Sequence, residues 1–321
     1  MKKILIIQTA FIGDVILATP ILEALHTAYP DARIDMEVRK GNQALFKGHP
    51  FLKTAFIWDK EGGKYKNLLL ILIAIRRQKY DLVINCQRFA ASGFLTGFSG
   101  AKKTIGFDKN PFSFRFTHKI KHEIGNGLHE CERNLKLLSP LGITGNKQPR
   151  LYPAALENKP SQPYVCLAPA SVWFTKQWPE HKWLELIETI PANQDVFLTG
   201  GPSDRDLCNR ILEKSSRKNL ISVCGEMSLL DSAALMKGAQ MNYVNDSAPM
   251  HLCSAVDAPV TAIFCSTVPS FGFGPLSSIS RVVETEEKLS CRPCGLHGFK
   301  ACPKGHFKCA EGISAEKVLG N

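Results

Sequence analysis

Two successive series of apolar segments, each segment followed by a helical pattern, constrain the fold of this sequence more than any other feature. The first apolar segment is KILIIQT (3–9). Continuous apolar runs are typical of strands buried on both faces of a parallel sheet, and strand–helix alternation is typical of α/β folds. The other expected strands are 33–39, 54–59, 80–87, 164–169, 195–201, 220–226, 241–246 and 260–266. Helices are expected at 15–29, 66–79, 129–138, 179–190, 203–216, 229–239 and 249–256.

A proline-rich segment at 145–163 separates the two series. It carries four prolines and little hydrophobic periodicity, so it is interpreted as a linker. We therefore predict two Rossmann-like α/β domains, residues 1–157 and 158–321, whose parallel sheets face a central cleft. A length of 321 residues agrees with two domains better than with one.

The net charge of +11 is concentrated in the first half of the chain. Residues 1–150 hold 24 Lys and Arg against 12 Asp and Glu, whereas the remainder holds 16 against 17. This imbalance predicts an anionic partner such as nucleic acid, acidic lipid or a phosphorylated glycan, or else a solvated basic surface. The segment 102–122 adds Phe107, Phe112, Phe114 and Phe116 between basic residues, which suits an anionic surface or a strand pair packed on the sheet.

No segment has the properties of a membrane span or a cleaved leader. The longest apolar run, 68–75, is too short to cross a bilayer. No small-residue cleavage site follows the basic start of the chain. We expect a cytoplasmic protein.

Polar residues follow several of the expected strands. Because ligands of parallel α/β sheets bind at the carboxyl ends of the strands, these positions are candidates for a site. They are Asp14, Ser171, Lys176, Gly200, Gly201, Asp246 and Ser247.

The strand-to-helix turn IGD (12–14) places a carboxylate next to the first strand. Asp14 can take a proton from an attacking hydroxyl, or it can cap the helix that follows. In the loop that starts the 167–183 segment, Ser171, Thr175 and Lys176 can hold a diphosphate, although the glycines of a P-loop are absent. A surface-loop lysine is the alternative.

The segment NDSAPMH (245–251) combines several groups that bind anions and hydroxyls. The backbone N–H groups of a helix that starts near Pro249, with the hydroxyl of Ser247, predict an anion site. Asp246 can hold a cation or hydroxyl, and His251 faces the same mouth unless it is a core histidine. A serine hydrolase is disfavoured because Ser247 lacks the G-x-S-x-G turn.

Four of the eleven cysteines cluster as Cys291, Cys294, Cys302 and Cys309. In a cytosolic protein this spacing favours a metal over disulfides, but the second pair lacks the two-residue spacing of a zinc ribbon. A structural zinc, packed free thiols and a redox pair all stay open.

Together these motifs resemble the ADP-heptose:lipopolysaccharide heptosyltransferases, glycosyltransferase family nine, of the GT-B type. The similar segments are QTAFIGDVILATP, PASVWFTKQWPEHKW, GGPSDRD and GEMSLLDSAALMKGAQMNYVNDSAPMHL. The terminal CRPCGLHGFKACPKGHFKC looks most like the heptosyltransferase II branch. The resemblance covers nearly the whole chain.

The resemblance implies inverting transfer of heptose from ADP-L-glycero-D-manno-heptose to the lipopolysaccharide inner core, without a metal cofactor, by an enzyme peripheral on the cytoplasmic face of the inner membrane. It assigns an acceptor-binding role to domain 1–157 and a donor-binding role to domain 158–321. By motif position it makes Asp14 the base, and it places Ser171 and Lys176 at the diphosphate, Asp204 and Met227 near ribose and adenine, and Asp246, Ser247, Ala248 and His251 at the sugar diphosphate. Ala248 stands where the family usually has Gly, which is costly if the backbone φ is positive there.

The rival functions are a family-nine transferase for another nucleotide sugar, a non-catalytic nucleotide-sugar binding protein, and a single-stranded nucleic-acid binding protein. Basic surfaces with aromatic side chains also bind single strands. Of these functions, only a glycosyltransferase requires a base at Asp14.

Overall fold

The computed structural model describes residues 1–60 and 63–320, which form two α/β units, Met1–Tyr152 and Pro153–Asn321. Each unit contains a six-stranded sheet in which every neighbouring pair of strands is parallel. The predicted fold class, two Rossmann-like α/β domains, is confirmed. The division falls inside the predicted linker but ahead of the boundary predicted after residue 157.

The N-terminal unit has the sheet order β3-β2-β1-β4-β5-β6. Its strands are β1 (Lys3–Gln8), β2 (Arg33–Arg39), β3 (Leu52–Trp58), β4 (Leu82–Asn85), β5 (Lys103–Phe107) and β6 (His118–Ile120). Its helices are α1 (Ile12–Ile16), α2 (Thr19–Ala28), α3 (Lys64–Gln78), α4 (Ala90–Phe98) and α5 (Glu130–Leu135). The central strand β1 is buried along nearly its whole length, as its continuous apolar sequence predicts.

The single helix predicted at 15–29 is wrong, because the chain forms two helices there. Helix α1 ends at Ile16, with Leu17 as its C-cap, and Pro20 lies in the first turn of α2. Proline lacks the N–H that a helix interior requires but is tolerated in a first turn, so a new helix starts at this point.

The segment 102–122 forms the edge of the N-terminal sheet, where β5 pairs with β6. Phe107 and Phe116 are buried, as expected of a strand pair packed on the sheet, which was one of the two alternatives for this segment. Phe114 is exposed and stacks near Phe112. Some aromatic residues of this segment therefore pack into the core of the unit, whereas others lie on its surface.

The C-terminal unit has the corresponding order β12-β11-β10-β7-β8-β9. Its strands are β7 (Tyr164–Ala168), β8 (Asp195–Leu198), β9 (Leu220–Ser222), β10 (Met241–Asn245), β11 (Val260–Phe264) and β12 (Ser280–Glu284). Its helices are α6 (Glu180–Thr189), α7 (Arg205–Lys214), α8 (Leu229–Gly238), α9 (Ala248–Val256), α10 (Lys308–Glu311) and α11 (Ala315–Leu319). The sequence reading missed β12, whose residues are only partly buried at the sheet edge.

Two tryptophans anchor α6 in the core of the C-terminal unit. Trp178 and Trp183 are fully buried, with ring centroids 5.2 Å apart. The indole N–H of Trp178 donates to the carbonyl of Ile313 at 3.2 Å, and that of Trp183 donates to the carbonyl of Trp178 at 3.1 Å. This packing fixes the end of the loop that follows β7. Within residues 1–60 and 63–320, none of the helices is both long and apolar enough to span a bilayer.

Candidate functional site

Asp14 lies in α1, directly after the carboxyl end of β1. Phe11 occupies the N-cap position and Asp14 the first turn, where a negative charge interacts favourably with the helix. The side chain is partly exposed. The structure thus places a solvent-accessible carboxylate at the carboxyl-terminal end of the N-terminal sheet, where the sequence predicted one.

The loop before Asp14 is held by polar side chains from neighbouring strand ends. Thr9 Oγ1 donates to Gln87 Oε1 at 2.7 Å, and Lys60 Nζ donates to the carbonyl of Thr9 at 2.7 Å. Asn42 Nδ2 donates to the carbonyl of Ala10 at 3.0 Å. The sequence reading missed these contacts, although polar residues at strand ends were a usable signal for Gln87.

A buried carboxyl lies on β2 in the same unit. Glu37 is fully buried, and neither side-chain oxygen has a hydrogen-bond partner within the described residues. Burial raises the pKa of Glu37 to about 8, with the charge of Lys60 acting in the opposite direction. Glu37 is therefore mostly neutral at pH 7, and its proton is held inside the core.

In the C-terminal unit, Lys176 and Asp246 form a largely buried ion pair. Lys176 Nζ lies 2.7 Å from Asp246 Oδ2, and the two side chains are 15% and 7% exposed. Thr267 Oγ1 donates to the same carboxylate oxygen at 2.6 Å. The pair joins the loops after β7 and β10. Lys176 is therefore held in place at the carboxyl-terminal end of the sheet, and it is not a mobile surface lysine.

Asn245 explains why the last residue of β10 is polar. Its Oδ1 accepts the backbone N–H of Trp178 at 3.0 Å, and its Nδ2 donates to the carbonyl of Pro169 at 2.8 Å. The buried side-chain amide of Asn245 thus holds both ends of the loop that carries Ser171 and Lys176. The sequence reading missed this positioning role.

Ser171 and Thr175 have different surroundings in this loop. Ser171 is partly exposed, and its carbonyl accepts a hydrogen bond from Gln177 Nε2 at 2.6 Å. Thr175 is 1% exposed, and its hydroxyl oxygen accepts hydrogen bonds from the Phe299 N–H at 2.8 Å and from Ser266 Oγ at 3.1 Å. The Thr175 hydroxyl therefore ties the loop to the C-terminal tail, and its contact with a diphosphate stays a prediction.

The loops after β8 and β9 bring Asp204 and Met227 to neighbouring strand ends. Asp204 is the N-cap of α7, and its carboxylate accepts the Gly201 N–H at 2.8 Å. The Gly225 N–H in turn donates to the carbonyl of Gly200 at 2.9 Å. Met227 is partly exposed two residues further along. Both residues lie at the carboxyl-terminal end of the sheet, where Lys176 and Asp246 also lie.

The start of α9 is close to the predicted arrangement. Ser247 is the N-cap with an extended backbone, and Pro249 lies in the first turn. Ala248 opens the helix and is not among the residues with positive φ, so alanine fits there without backbone strain. His251 is buried, which favours a core histidine over one that faces the mouth of the site.

The C-terminal tail packs against the loop that carries Lys176. Gly298 has φ +77°, and a Cβ at this position would lie 2.9 Å from Thr175 Oγ1 and 3.0 Å from Lys176 Cγ. The Cys294 N–H donates to the carbonyl of Ser266 at 2.9 Å. The tail therefore forms one wall of the loop, a role that the cysteine spacing alone did not indicate.

Three of the four tail cysteines, Cys291, Cys294 and Cys302, are partly exposed, whereas Cys309 is buried. Residues 1–60 and 63–320 contain no group of three His, Cys, Asp or Glu side chains arranged to hold a metal ion. Cys294 Sγ donates to the carbonyl of Cys291 at 3.1 Å. Burial raises the pKa of the Cys309 thiol to about 11, and the neighbouring thiols of Cys294 and Cys302 act in the same direction. Elemental analysis of purified protein is the direct test of the zinc hypothesis.

Two parallel α/β sheets, each with polar residues at the carboxyl ends of the strands, define a fold of the GT-B class. The chain belongs to glycosyltransferase family 9 (heptosyltransferase), whose sequence pattern matches residues 71–296. The predicted family is confirmed.

One relative supports this assignment by its sequence, and two solved structures share the fold. The chain is 30% identical over 280 residues to lipopolysaccharide heptosyltransferase 3 of Escherichia coli K12, covering 79% of this chain and 80% of the relative. A glycosyl transferase family 9 structure from Veillonella parvula DSM 2008 superposes with a TM-score of 0.87 at 23% identity, covering 99% and 95% of the two chains. The structure of E. coli ADP-heptose lps heptosyltransferase II gives a TM-score of 0.81 at 20% identity, covering 99% and 96%. Because these relatives carry different branch names, the resemblance to the heptosyltransferase II branch stays a prediction.

Proposed function

We propose that this glycosyltransferase moves heptose from ADP-L-glycero-D-manno-heptose to the inner core of lipopolysaccharide, with inversion at the anomeric carbon and without a catalytic metal. Support comes from the family, from relatives named lipopolysaccharide heptosyltransferases, and from the site in the C-terminal unit. The observation that carries the proposal is the Lys176–Asp246 pair at the start of α9.

The C-terminal unit would bind the donor and stabilise the leaving ADP. Lys176 is held in a fixed position by Asp246, so its ammonium can meet a diphosphate without first being ordered. The N–H groups at the start of α9 and the hydroxyl of Ser247 add donors for phosphate oxygens. Fixed cationic and N–H groups stabilise the negative charge that develops on ADP as the glycosidic bond breaks.

The remaining donor contacts would come from the other strand-end loops. Ser171 would contribute a hydroxyl beside Lys176, and Asp204 and Met227 would meet the ribose and adenine. A carboxylate oxygen has more than one acceptor site, so Asp204 can hold the Gly201 N–H and still accept from a ribose hydroxyl. A contact of His251 with the donor would require movement, because the side chain is buried.

Asp14 would act as the general base in the N-terminal unit. Its carboxylate takes the proton of the acceptor hydroxyl while that oxygen bonds to the anomeric carbon of heptose. The bond from the anomeric carbon to the diphosphate oxygen breaks in the same displacement, which inverts the configuration and releases ADP. The tight anchoring of the loop at Thr9 and Ala10 supports a fixed position for this carboxylate.

The basic N-terminal half agrees with an acceptor rich in phosphate and carboxylate groups. We propose that this unit binds the acceptor and that the enzyme works in the cytoplasm, at the cytoplasmic surface of the inner membrane. Its 24 Lys and Arg against 12 Asp and Glu within residues 1–150 provide the required positive field.

The direct test is a donor screen by mass spectrometry, with ADP-heptose beside UDP-, GDP- and CMP-sugars and a heptose-deficient lipopolysaccharide core as acceptor. We expect product only with ADP-heptose, unchanged activity in chelator, and inverted anomeric configuration by NMR. Transfer from another nucleotide sugar would replace the proposed donor. Binding of ADP-heptose without turnover, or heat protection by an oligonucleotide alone, would overturn the transferase proposal.

A further inference from the structure

The outward face of α3 is apolar in a position where helices of a globular protein are normally polar. Leu68, Ile71, Leu72 and Ile75 pack into the core of the N-terminal unit. The opposite side exposes Tyr65, Leu69, Leu70 and Ile73, at 76%, 52%, 54% and 46%. A helix packed against a sheet needs only one apolar stripe, so the second stripe has no function in the fold.

Basic residues lie at both ends of this outward stripe. Lys64 and Lys66 lie on either side of Tyr65 at its start, Arg76 and Arg77 follow Ile73 at its end, and the helix contains no Asp or Glu. The 15 residues of α3 span about 22 Å, so the cations lie on either side of a short aliphatic centre. An apolar face flanked by Lys and Arg is typical of helices that lie in the interface of a lipid bilayer.

The same surface continues onto the neighbouring elements. Arg76 Nη1 donates to the carbonyl of Phe98 at 3.1 Å, and the guanidinium of Arg115 lies 4.4 Å from the Phe98 ring centroid. The Phe98 and Phe112 rings are 6.1 Å apart, and Phe114 beyond them is 72% exposed. The outward side chains of α3 and Phe114 with Arg115 thus belong to one basic and apolar surface, here called the α3 face.

We propose that the α3 face docks on an anionic lipid bilayer, with Leu69, Leu70 and Ile73 inserted at headgroup depth and the flanking cations against phosphate groups. This deepens the proposed function, on which it rests only for the choice of a membrane glycolipid as acceptor. Apolar burial and cation–lipid attraction add in such a surface, each basic residue strengthening binding roughly fivefold.

The chemistry of the face favours lipid over other occupants. A second copy placed by two-fold symmetry would bring Lys and Arg against Lys and Arg, with no acidic residue on the helix to compensate. A nucleic-acid strand would need aromatic platforms for stacking, whereas the centre of the face is aliphatic. Only a bilayer offers hydrocarbon and negative charge at adjacent depths.

The test is co-sedimentation of the full chain with vesicles of phosphatidylcholine alone and of phosphatidylcholine mixed with phosphatidylglycerol. We expect binding to the anionic vesicles that salt weakens. The double variant Leu69→Glu/Ile73→Glu should reduce it roughly tenfold or more, and Lys66→Glu/Arg77→Glu at least as much, since each substitution reverses a charge. Matched controls in the C-terminal unit, Ile279→Glu and Lys218→Glu, replace exposed residues of the same kinds and should bind like the wild type.

ADP-sugar protection against heat unfolding, measured in parallel, shows whether each variant folds and binds donor. If the Leu69→Glu/Ile73→Glu chain does not fold, the charge-reversal pair decides the question. Equal vesicle binding by the α3 variants and the wild type would overturn the proposal. So would a loss of self-association, or of oligonucleotide binding, in place of a loss of vesicle binding. Vesicle binding does not depend on turnover, so a failed donor screen leaves this result intact.

Discussion

Lys176 Nζ lies 2.7 Å from Asp246 Oδ2, and this ion pair connects the loop after β7 with the loop after β10. Both side chains are largely removed from water, so each charge depends on the other and on Thr267 for compensation. A diphosphate that reaches Lys176 would therefore meet a cation whose position is already set. The pair is the most specific link between the fold of the C-terminal unit and the proposed donor binding.

Replacement of this lysine provides the first prediction. Lys176→Ala should weaken ADP-sugar binding about 10- to 100-fold, the usual value of a charge-assisted hydrogen bond, with less effect on the KM for the acceptor. Lys214→Ala, which removes an exposed lysine paired with Glu180, is the control and should leave donor affinity unchanged. Isothermal titration with ADP-sugar measures both. Unchanged affinity in Lys176→Ala would remove this residue from the diphosphate site.

The second prediction concerns the proposed base. Asp14→Asn keeps the size of the side chain but removes its ability to accept a proton. We expect turnover to fall about 10²- to 10⁴-fold while ADP-sugar affinity stays close to that of the wild type. Asp31→Asn, an exposed carboxylate in the same unit, is the matched control. Turnover close to wild type in Asp14→Asn would leave Asp14 with a structural role only.

The third prediction tests the contact between the C-terminal tail and the loop that carries Lys176. Gly298 and Gly295 both have positive φ, but only at Gly298 would a Cβ meet Thr175 and Lys176, since nothing lies within 4 Å at Gly295. Substitution by alanine should cost each about 1–2 kcal/mol of stability through backbone strain. Gly298→Ala should in addition weaken ADP-sugar binding several-fold.

Thermal unfolding with and without ADP-sugar separates the two effects at these glycines. Gly295→Ala controls for the strain of the left-handed backbone. If both variants bind donor equally well, the tail does not position Lys176.

The fourth prediction is a pH dependence of stability caused by Glu37. Burial raises the pKa of Glu37 to about 8 in the folded protein from an ordinary value of 4.5. The folded state therefore binds the proton more tightly, so this contribution to stability is complete below pH 4.5 and is lost as the pH rises through about 8. Glu37→Gln, which is neutral at every pH, should flatten the fall in melting temperature between pH 6.5 and 8.5.

The pH window starts at 6.5 because His49 and His122, whose pKa values are lowered in the folded protein, affect stability mainly at lower pH. Burial lowers the pKa of His49 and of His122 from 6.5 to about 4 in each case, so their effect on stability is greatest below about pH 6.5, fades above it, and is the same in the wild type and in Glu37→Gln. Lys60, whose charge acts on Glu37, and Tyr80, whose pKa burial raises so that it stays neutral in this window, are present in both proteins. Parallel melting curves of the wild type and Glu37→Gln above pH 6.5 would show that Glu37 is not the cause.

The sequence alone predicted the two sheets and the positions of Asp14, Lys176 and Asp246 at strand ends. This was possible because buried parallel strands have continuous apolar sequences, and because the carboxyl ends of such strands meet at one edge of a sheet. Residues that follow those strands must lie at that edge whatever the details of packing. A local pattern was sufficient for each of these inferences.

Only the tertiary structure determined which polar side chains form hydrogen bonds within the fold. Thr175 accepts a hydrogen bond from Phe299, which is 124 residues away in the chain, and no local pattern indicates such a partner. Burial of Glu37 and exposure of Leu69 likewise depend on what packs on each face of the sheet, because a helical period shows an apolar stripe but not whether a second stripe is covered. The sequence determined where chemical groups lie along the strands, whereas long-range packing determined which of them remain accessible to a ligand or a membrane.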